Sequence, residues 1–234
     1  MPATRPDLRT ALVAAELEAA LARLGSGQLR VVDAGGGTGG VAVPLAVAGH
    51  RVTVLDPSPD SLAALERRAA EAGVADRITP LQGDLDDLAL LVEPGADAVL
   101  CHRVLEVVDD PAAALAAVAA ALRPGGLASV LTANRLALVV QRALAGRFAE
   151  ATRLLDPGPG CGALEHDELL ALVAGAGLRP VRVHGVRAVS DLVPGSLLDT
   201  EPGGAAALLE LERRAADHPA LLRVATQLHV LALA

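Results

Sequence analysis

Lysine, tyrosine and tryptophan are missing from these 234 residues, and phenylalanine occurs once, at Phe148. Every permanent side-chain cation is therefore an arginine. Surfaces that bind nucleic-acid strands without sequence preference stack bases on aromatic rings, so a general base-stacking surface is not expected; a guanidinium plane or an imidazole has to substitute. Cysteine is scarce. Cys101 and Cys161 stand far apart and make no CxxC pair, which argues against a disulfide framework or a cysteine-rich metal site. Long apolar runs are also lacking. The longest apolar stretch, 112–122, is bounded by Asp110-Pro111 and Arg123, well short of the roughly 18 residues a membrane span requires. Residues 1–7 contain no apolar core of a secretory signal, so the expectation is a soluble, cytoplasmic protein with no membrane partner. No repeat is present at a period of roughly 20–50 residues.

What is present is apolar bulk: 52% of residues are hydrophobic and 21% charged. Such a chain buries a core and is not disordered. The formal net charge of −8 is unevenly spread. Residues 56–110 carry 13 acidic and four basic side chains, whereas 134–200 carry seven of each. A general polyanion-binding surface is not indicated.

Two periodicities alternate along the first half. β-rich runs at 29–34, 51–55, 77–81, 96–102 and 126–132 are separated by helical patterns, among them 61–72 and 111–122. Ser58-Pro59 and Asp110-Pro111 each place an N-cap residue before a proline suited to the first helical position. Strands alternating with helices predict βαβ units and a doubly wound parallel sheet, an α/β fold. After residue 133 the pattern changes: a helix at 135–148, a loop at 156–160, a helix at 168–176, a strand at 178–184, a helix at 204–216 and a strand at 226–233. The stretches 134–165 and 190–202 are where substrate recognition is expected. The expectation is one domain over 1–234, with a cofactor-binding half at 29–132 and a substrate-facing, sheet-completing half at 133–234.

The most informative segment is Val31-Val32-Asp33-Ala34-Gly35-Gly36-Gly37-Thr38-Gly39-Gly40, a strand running through glycines into a helix. Glycines let backbone turn sharply and approach a ligand closely, and the following helix turns its free amides toward the crevice. The string matches both GxGxxG, through Gly35, Gly37 and Gly40, and DxGxGxG, through Asp33, Gly35, Gly37 and Gly39. Asp56 ends the second strand, where its carboxylate can accept two hydrogen bonds from a ribose diol; Pro57 follows it. Gly83-Asp84-Leu85-Asp86 follows the third strand, setting carboxylates and an apolar side chain where an adenine can rest. Leu122-Arg123-Pro124-Gly125-Gly126 precedes the fifth.

In this order the motifs resemble those of class I S-adenosylmethionine-dependent methyltransferases, over about residues 29–132. The resemblance implies a Rossmann-like seven-stranded sheet whose last strand is antiparallel, with S-adenosyl-L-methionine as cofactor. A closer resemblance involves Cys101-His102-Arg103-Val104-Leu105-Glu106, Ala133-Asn134, Leu144-Ala145-Gly146-Arg147-Phe148, Gly185-Val186-Arg187 and Leu209-Glu210-Leu211-Glu212. These segments are similar to a tRNA-modifying subfamily, the tRNA 5-carboxymethoxyuridine carboxymethyl methyltransferases. That match implies cofactor contacts from Arg9, Gly35, Gly36, Asp56, Leu85, Asp86 and His102. The fold and cofactor carry over from that match and the tRNA substrate does not; the expected acceptor is a small molecule or a modified nucleoside, with tRNA a candidate partner. The chain departs from that subfamily after Phe148, where Arg153-Leu154-Leu155-Asp156-Pro157-Gly158 replaces a lysine-rich segment.

Methyl transfer from a sulfonium is an in-line displacement, so alignment in a dry pocket supplies much of the acceleration. A carboxylate acceptor is already ionised. Arg103, Asn134 and Arg187 are the candidates to orient it, and His102 is the candidate base for a hydroxyl or amine. Glu106 and Asp109 read as solvated loop acids or caps, and His50, His184, His218 and His229 as structural, without metal-ligand spacing. Cys101 reads as a small buried hydrophobe. Two alternatives stay open. One is a nicotinamide-dependent oxidoreductase using the GxGxxG match, although the chain has no tyrosine or lysine for hydride-transfer chemistry. The other is a non-catalytic cofactor-binding protein.

Overall fold

Short runs of valine and leucine, buried on both faces, become the central strands, as expected where helices cover a parallel sheet on both sides. The computed structural model describes residues 8–157, 162–194 and 203–234, leaving aside the side chains of 8–10. Strands β1 (Arg30–Ala34), β2 (Arg51–Asp56), β3 (Ile78–Gln82), β4 (Ala96–His102), β5 (Leu122–Ala133), β6 (Arg179–Val186) and β7 (Gln227–Leu233) form one sheet of order β3-β2-β1-β4-β5-β7-β6. The first five are mutually parallel, and β7 runs antiparallel to both β5 and β6. The α/β sheet with an antiparallel last strand is therefore as expected.

Ten helices of the described residues are α1 (Leu8–Leu24), α2 (Ala42–Val47), α3 (Pro59–Glu71), α4 (Leu88–Leu91), α5 (Pro111–Ala121), α6 (Arg135–Leu144), α7 (Phe148–Leu155), α8 (His166–Gly175), α9 (Gly204–Ala216) and α10 (Pro219–Leu222). One face of the sheet packs on α4, α5 and α8, through Leu88, Leu115, Val118, Leu169 and Val173. The other packs on α1, α2 and α3, through Leu17, Leu21, Ala46 and Leu65. Ser58 and Asp110 cap α3 and α5 as expected, each accepting from backbone amides in the first turn, with proline next in line. Among the described residues no helix is long and apolar enough to cross a membrane.

Two expectations are corrected, and one element is added. The helix read at 135–148 is two helices, because Gly146 takes a left-handed φ of 74° and ends the first, as a glycine past a helix C-terminus commonly does. The Arg123-Pro124-Gly125-Gly126 segment lies inside β5 as a bulge: Ala96 pairs with Leu122 but Ala98 pairs with Leu127. Helix α1 was not anticipated, although Val13, Leu17, Ala20 and Leu21 are buried at helical spacing. Residues 158–160 of the expected loop, Cys161, and 195–202 of the second recognition stretch lie outside the described residues.

Candidate functional site

The strand order reverses between β1 and β4. Chains leaving these neighbours turn to opposite sides, and ligands of open α/β sheets bind in the crevice this leaves at the strands' carboxyl ends. A crevice of about 430 Å³ lies here, with Gly35, Asp56, Pro57, Asp84, Leu85, Asp86 and Arg103 in its walls. A larger hollow, about 770 Å³, lies under α1 beside β6. Of its arginines, Arg123 is paired with Asp97 and Arg182 with Glu16 and Asp217, and none of the glycine-loop residues reaches it.

The glycine loop is fastened to β2. Gly35 N–H donates to the Leu55 carbonyl at 2.7 Å, and Gly37 N–H to Asp56 Oδ2 at 2.9 Å. The other Asp56 oxygen accepts from Ser58 N–H at 3.0 Å. Asp33 is buried beneath the loop, and its Oδ2 has no hydrogen-bond partner among the described residues. Burial, with the Asp56 charge adding to it, pushes its carboxyl up to about 7. A Cβ at Gly36 would stand 2.5 Å from that oxygen and 2.8 Å from Val54 Cγ1, so only glycine fits above it. Gly39 combines a φ of 78° with packing against the Leu65 side chain.

At the end of β3, Asp84 caps a short 3₁₀ turn: its Oδ1 accepts from Asp86 N–H, while Asp87 returns a bond to Asp84 N–H. Leu85 is buried, and Asp84 and Asp86 are exposed. The turn thus presents acids over an apolar floor.

The remaining candidates follow the same edge of the sheet. His102 ends β4, Asn134 follows β5 and Arg187 follows β6, whose Val186 pairs with Gln227 beside Ala133. His102 Nε2 lies 2.8 Å from Ser129 Oγ, and burial lowers the ring to about 4. Arg103 and Arg187 are the two non-glycine residues of the described chain with positive φ, 62° and 59°. Such backbone is uncommon away from Gly, Asn and Asp and tends to cluster at functional sites. The Arg103 side chain is 60% exposed and pairs with Glu106; Arg187 is largely buried and pairs with Asp191 at 3.2 Å.

Asn134 is corrected to a structural role. It is fully buried; its Nδ2 donates to the Arg223 and Ala225 carbonyls, and its Oδ1 accepts from Leu136 N–H to cap α6. No polar group is left to orient an acceptor. Arg9 lies in the first turn of α1, its side chain outside the described residues. Glu106 is no solvated acid: it is 14% exposed and accepts from Ala133 N–H as well as from Arg103, joining the loop after β4 to the end of β5. Nothing in the sequence assigns Glu212 a role beyond membership of a resembling segment. Buried, it accepts from three consecutive amides, Ala188, Val189 and Ser190, and so holds the backbone next to Arg187. Cys101 is buried, and burial lifts its thiol to about 12.

Residues 31–126 match a family model described as a methyltransferase domain. The ubiquinone biosynthesis O-methyltransferase of Xanthomonas axonopodis pv. citri (strain 306) is 33% identical over 178 residues, covering 75% of this chain and 73% of that protein. The chain belongs to the S-adenosylmethionine-dependent methyltransferase family. Within that family, the tRNA 5-carboxymethoxyuridine methyltransferase of Escherichia coli (strain K12) is 36% identical over 145 residues. The match takes in 62% of this methyltransferase chain and 56% of that protein, little more than half of its length. The fold is shared with magnesium protoporphyrin IX methyltransferase from Synechocystis PCC 6803, at a TM-score of 0.63 and 19% identity, over 95% of this chain and 80% of that one.

Proposed function

We propose that this methyltransferase moves a methyl group from S-adenosylmethionine to a carboxylate on a small molecule or a modified nucleoside. The residues of the crevice suit that cofactor. Asp56 supplies a carboxylate for a ribose diol, Leu85 an apolar floor with Pro57 and Asp84 beside it, and Asp86 an acceptor for an exocyclic amine. The Asp33 carboxylate, its Oδ2 unpartnered among the described residues, lies against Gly36 of the loop formed by Gly35, Gly36, Gly37 and Gly39, where a cationic ligand would favour its ionised form. When bound, the cofactor supplies an electrophilic methyl carbon on a positively charged sulfur.

The observation that carries the choice of acceptor is the placement of His102, whose Nε2 is engaged with Ser129 Oγ at 2.8 Å. Held neutral and lowered to about 4, it is a weak base for a hydroxyl or amine, whose proton must be removed as the bond to methyl forms. Glu106 is engaged with Arg103 and the Ala133 amide. An acceptor that arrives ionised needs neither. The task left to the chain is to align that acceptor and keep water out, with Arg103 and Arg187 as cations for its oxygens.

The Escherichia coli relative's name, which specifies a carboxymethoxyuridine of tRNA, supports this chemistry. The acidic first half and the lack of lysine favour a single nucleoside or a small acid over extensive contact with tRNA. A second reading, a phenolic or other hydroxyl acceptor, draws on the ubiquinone-pathway relative, which covers more of both chains.

Incubation with methyl-labelled S-adenosylmethionine, separately with tRNA and with a small-molecule extract, decides between them. Mild alkali releases an ester's label as methanol and leaves an ether intact. Alkali-labile label is expected; alkali-stable label in the products overturns the carboxylate reading.

A further inference from the structure

Three histidines and a serine form a polar row inside the apolar face that α1 covers. His102 Nε2 meets Ser129 Oγ at 2.8 Å, and Ser129 Oγ meets His229 Nε2 at 2.7 Å. His229 Nδ1 then meets His184 Nε2 at 3.1 Å. The row crosses β4, β5, β7 and β6, because Leu131 is paired with both His102 and His229, and His229 with His184. Ser129, His184 and His229 are completely buried, whereas His102 is partly exposed. The rings of His102 and His229, and of His184 and His229, meet edge to face. At the far end His184 Nδ1 is buried without a partner among the described residues. The charged groups around it are Glu16 of α1, Arg182 of β6 and Asp217 after α9, which offset one another through the Arg182 ion pairs.

Burial keeps all three rings neutral: His102 and His184 are lowered to about 4, and His229 well below its ordinary value. A neutral imidazole carries one N–H and a serine one O–H. The row therefore holds four hydrogens for three internal contacts, and one is left over, either at one end or on the Ser129 hydroxyl, whose oxygen has lone pairs for both flanking rings. At His184 Nδ1, or on the fully buried Ser129 hydroxyl turned away from both rings, it would be a buried donor with no acceptor among the described residues, the rarer and costlier kind of orphan. At His102 Nδ1 it stands on the partly exposed ring. The direction of every bond follows: His184 donates to His229, His229 to Ser129, and Ser129 to His102.

We infer that Ser129, His229 and His184 are positioning residues that fix His102 as its Nδ1–H tautomer, so that it serves the site as a hydrogen-bond donor and not as a proton acceptor. This is the tautomer a free histidine side chain favours less, and it requires the row to impose it. What the donor is for rests on the proposed transfer to a carboxylate, which needs donors and no base; the tautomer itself is a property of the cofactor-free protein.

Nitrogen-15 NMR of the histidine side chains in the cofactor-free, full-length protein reads all three rings at once. Expected is Nδ1–H at His102 with Nε2–H at both His229 and His184. Nε2–H at His102 overturns the inference whichever tautomers the other two rings show, as does any mixture of tautomers at His102. Ser129→Ala is expected to leave His102 in mixed tautomers and to lower kcat about tenfold with an unchanged affinity for S-adenosylhomocysteine; Ser129→Thr, which keeps the hydroxyl, restores both. A wild-type spectrum of the expected pattern with an unaltered kcat in Ser129→Ala overturns the positioning role alone. Since the spectrum needs neither cofactor nor acceptor, an error in the proposed reaction leaves that part of the result standing.

Discussion

The Gly37 amide donates to Asp56 Oδ2 at 2.9 Å, which ties the glycine loop after β1 to the acid that ends β2. One carboxylate thus shapes the loop and faces the crevice. Asp56→Ala is expected to weaken S-adenosylhomocysteine binding at least tenfold, about 1.4 kcal/mol, as read by titration calorimetry. Unchanged affinity removes Asp56 from the cofactor contacts.

Asp33 gives stability a pH dependence of known sign. Its folded pKa is raised from 3.8 to about 7 by burial and by the charge of Asp56. The folded chain therefore binds more protons than the unfolded chain between these values, and this group's contribution to stability declines as pH rises through that window. Asp33→Asn abolishes the decline. Melting at pH 8 is expected to show the variant more stable than wild type by upward of about 1 kcal/mol, with a smaller difference at pH 5. Equal differences at both pH values contradict the assignment.

Neighbouring glycines separate steric demand from mere proximity to the loop. A Cβ at Gly39 meets the Leu65 side chain and sits on left-handed backbone, whereas one at Gly40 meets nothing within 4 Å. Gly39→Ala is expected to destabilise the fold by about 2 kcal/mol, and Gly40→Ala by much less, in denaturant titrations. Similar losses at the two positions count against the packing described.

Glu212 holds three amides beside Arg187. Glu212→Ala leaves those donors without their acceptor, and a loss of about 3 kcal/mol is expected, or a Tm lower by roughly 6–12 °C. Hydrogen exchange should quicken first at Ala188, Val189 and Ser190. Protection unchanged at those amides would show that the carboxylate does not restrain them.

Arg187→Ala is expected to raise KM for the methyl acceptor while leaving the affinity for S-adenosylhomocysteine intact. The reverse pattern takes Arg187 away from the acceptor.

The parallel half was legible because its signals are local: glycine spacing, an acid at a strand end, and Ser58 and Asp110 each followed by proline. The rest depends on pairs distant in the chain. Glu106 and Glu212 hold backbone amides 27 and 22–24 residues away, and nothing in a carboxylate's neighbours in sequence marks such a partner. His184 and His229 meet through the antiparallel pairing of β6 with β7, so their spacing along the chain carried no sign of a row. Asn134 stands before a helix at the end of a strand, a position suited to a cap and to a ligand contact alike; its burial decides for the cap. Helix α1 was readable in principle from Val13, Leu17 and Leu21, but its many alanines blur the contrast between faces.

A crystal structure with S-adenosylhomocysteine bears most directly on the cofactor crevice. Expected is the ribose diol on the Asp56 carboxylate, with adenine over Leu85 and between Pro57 and Asp86. Electron density for the ligand elsewhere, or a crevice that admits a nicotinamide dinucleotide and refuses S-adenosylhomocysteine, would contradict it.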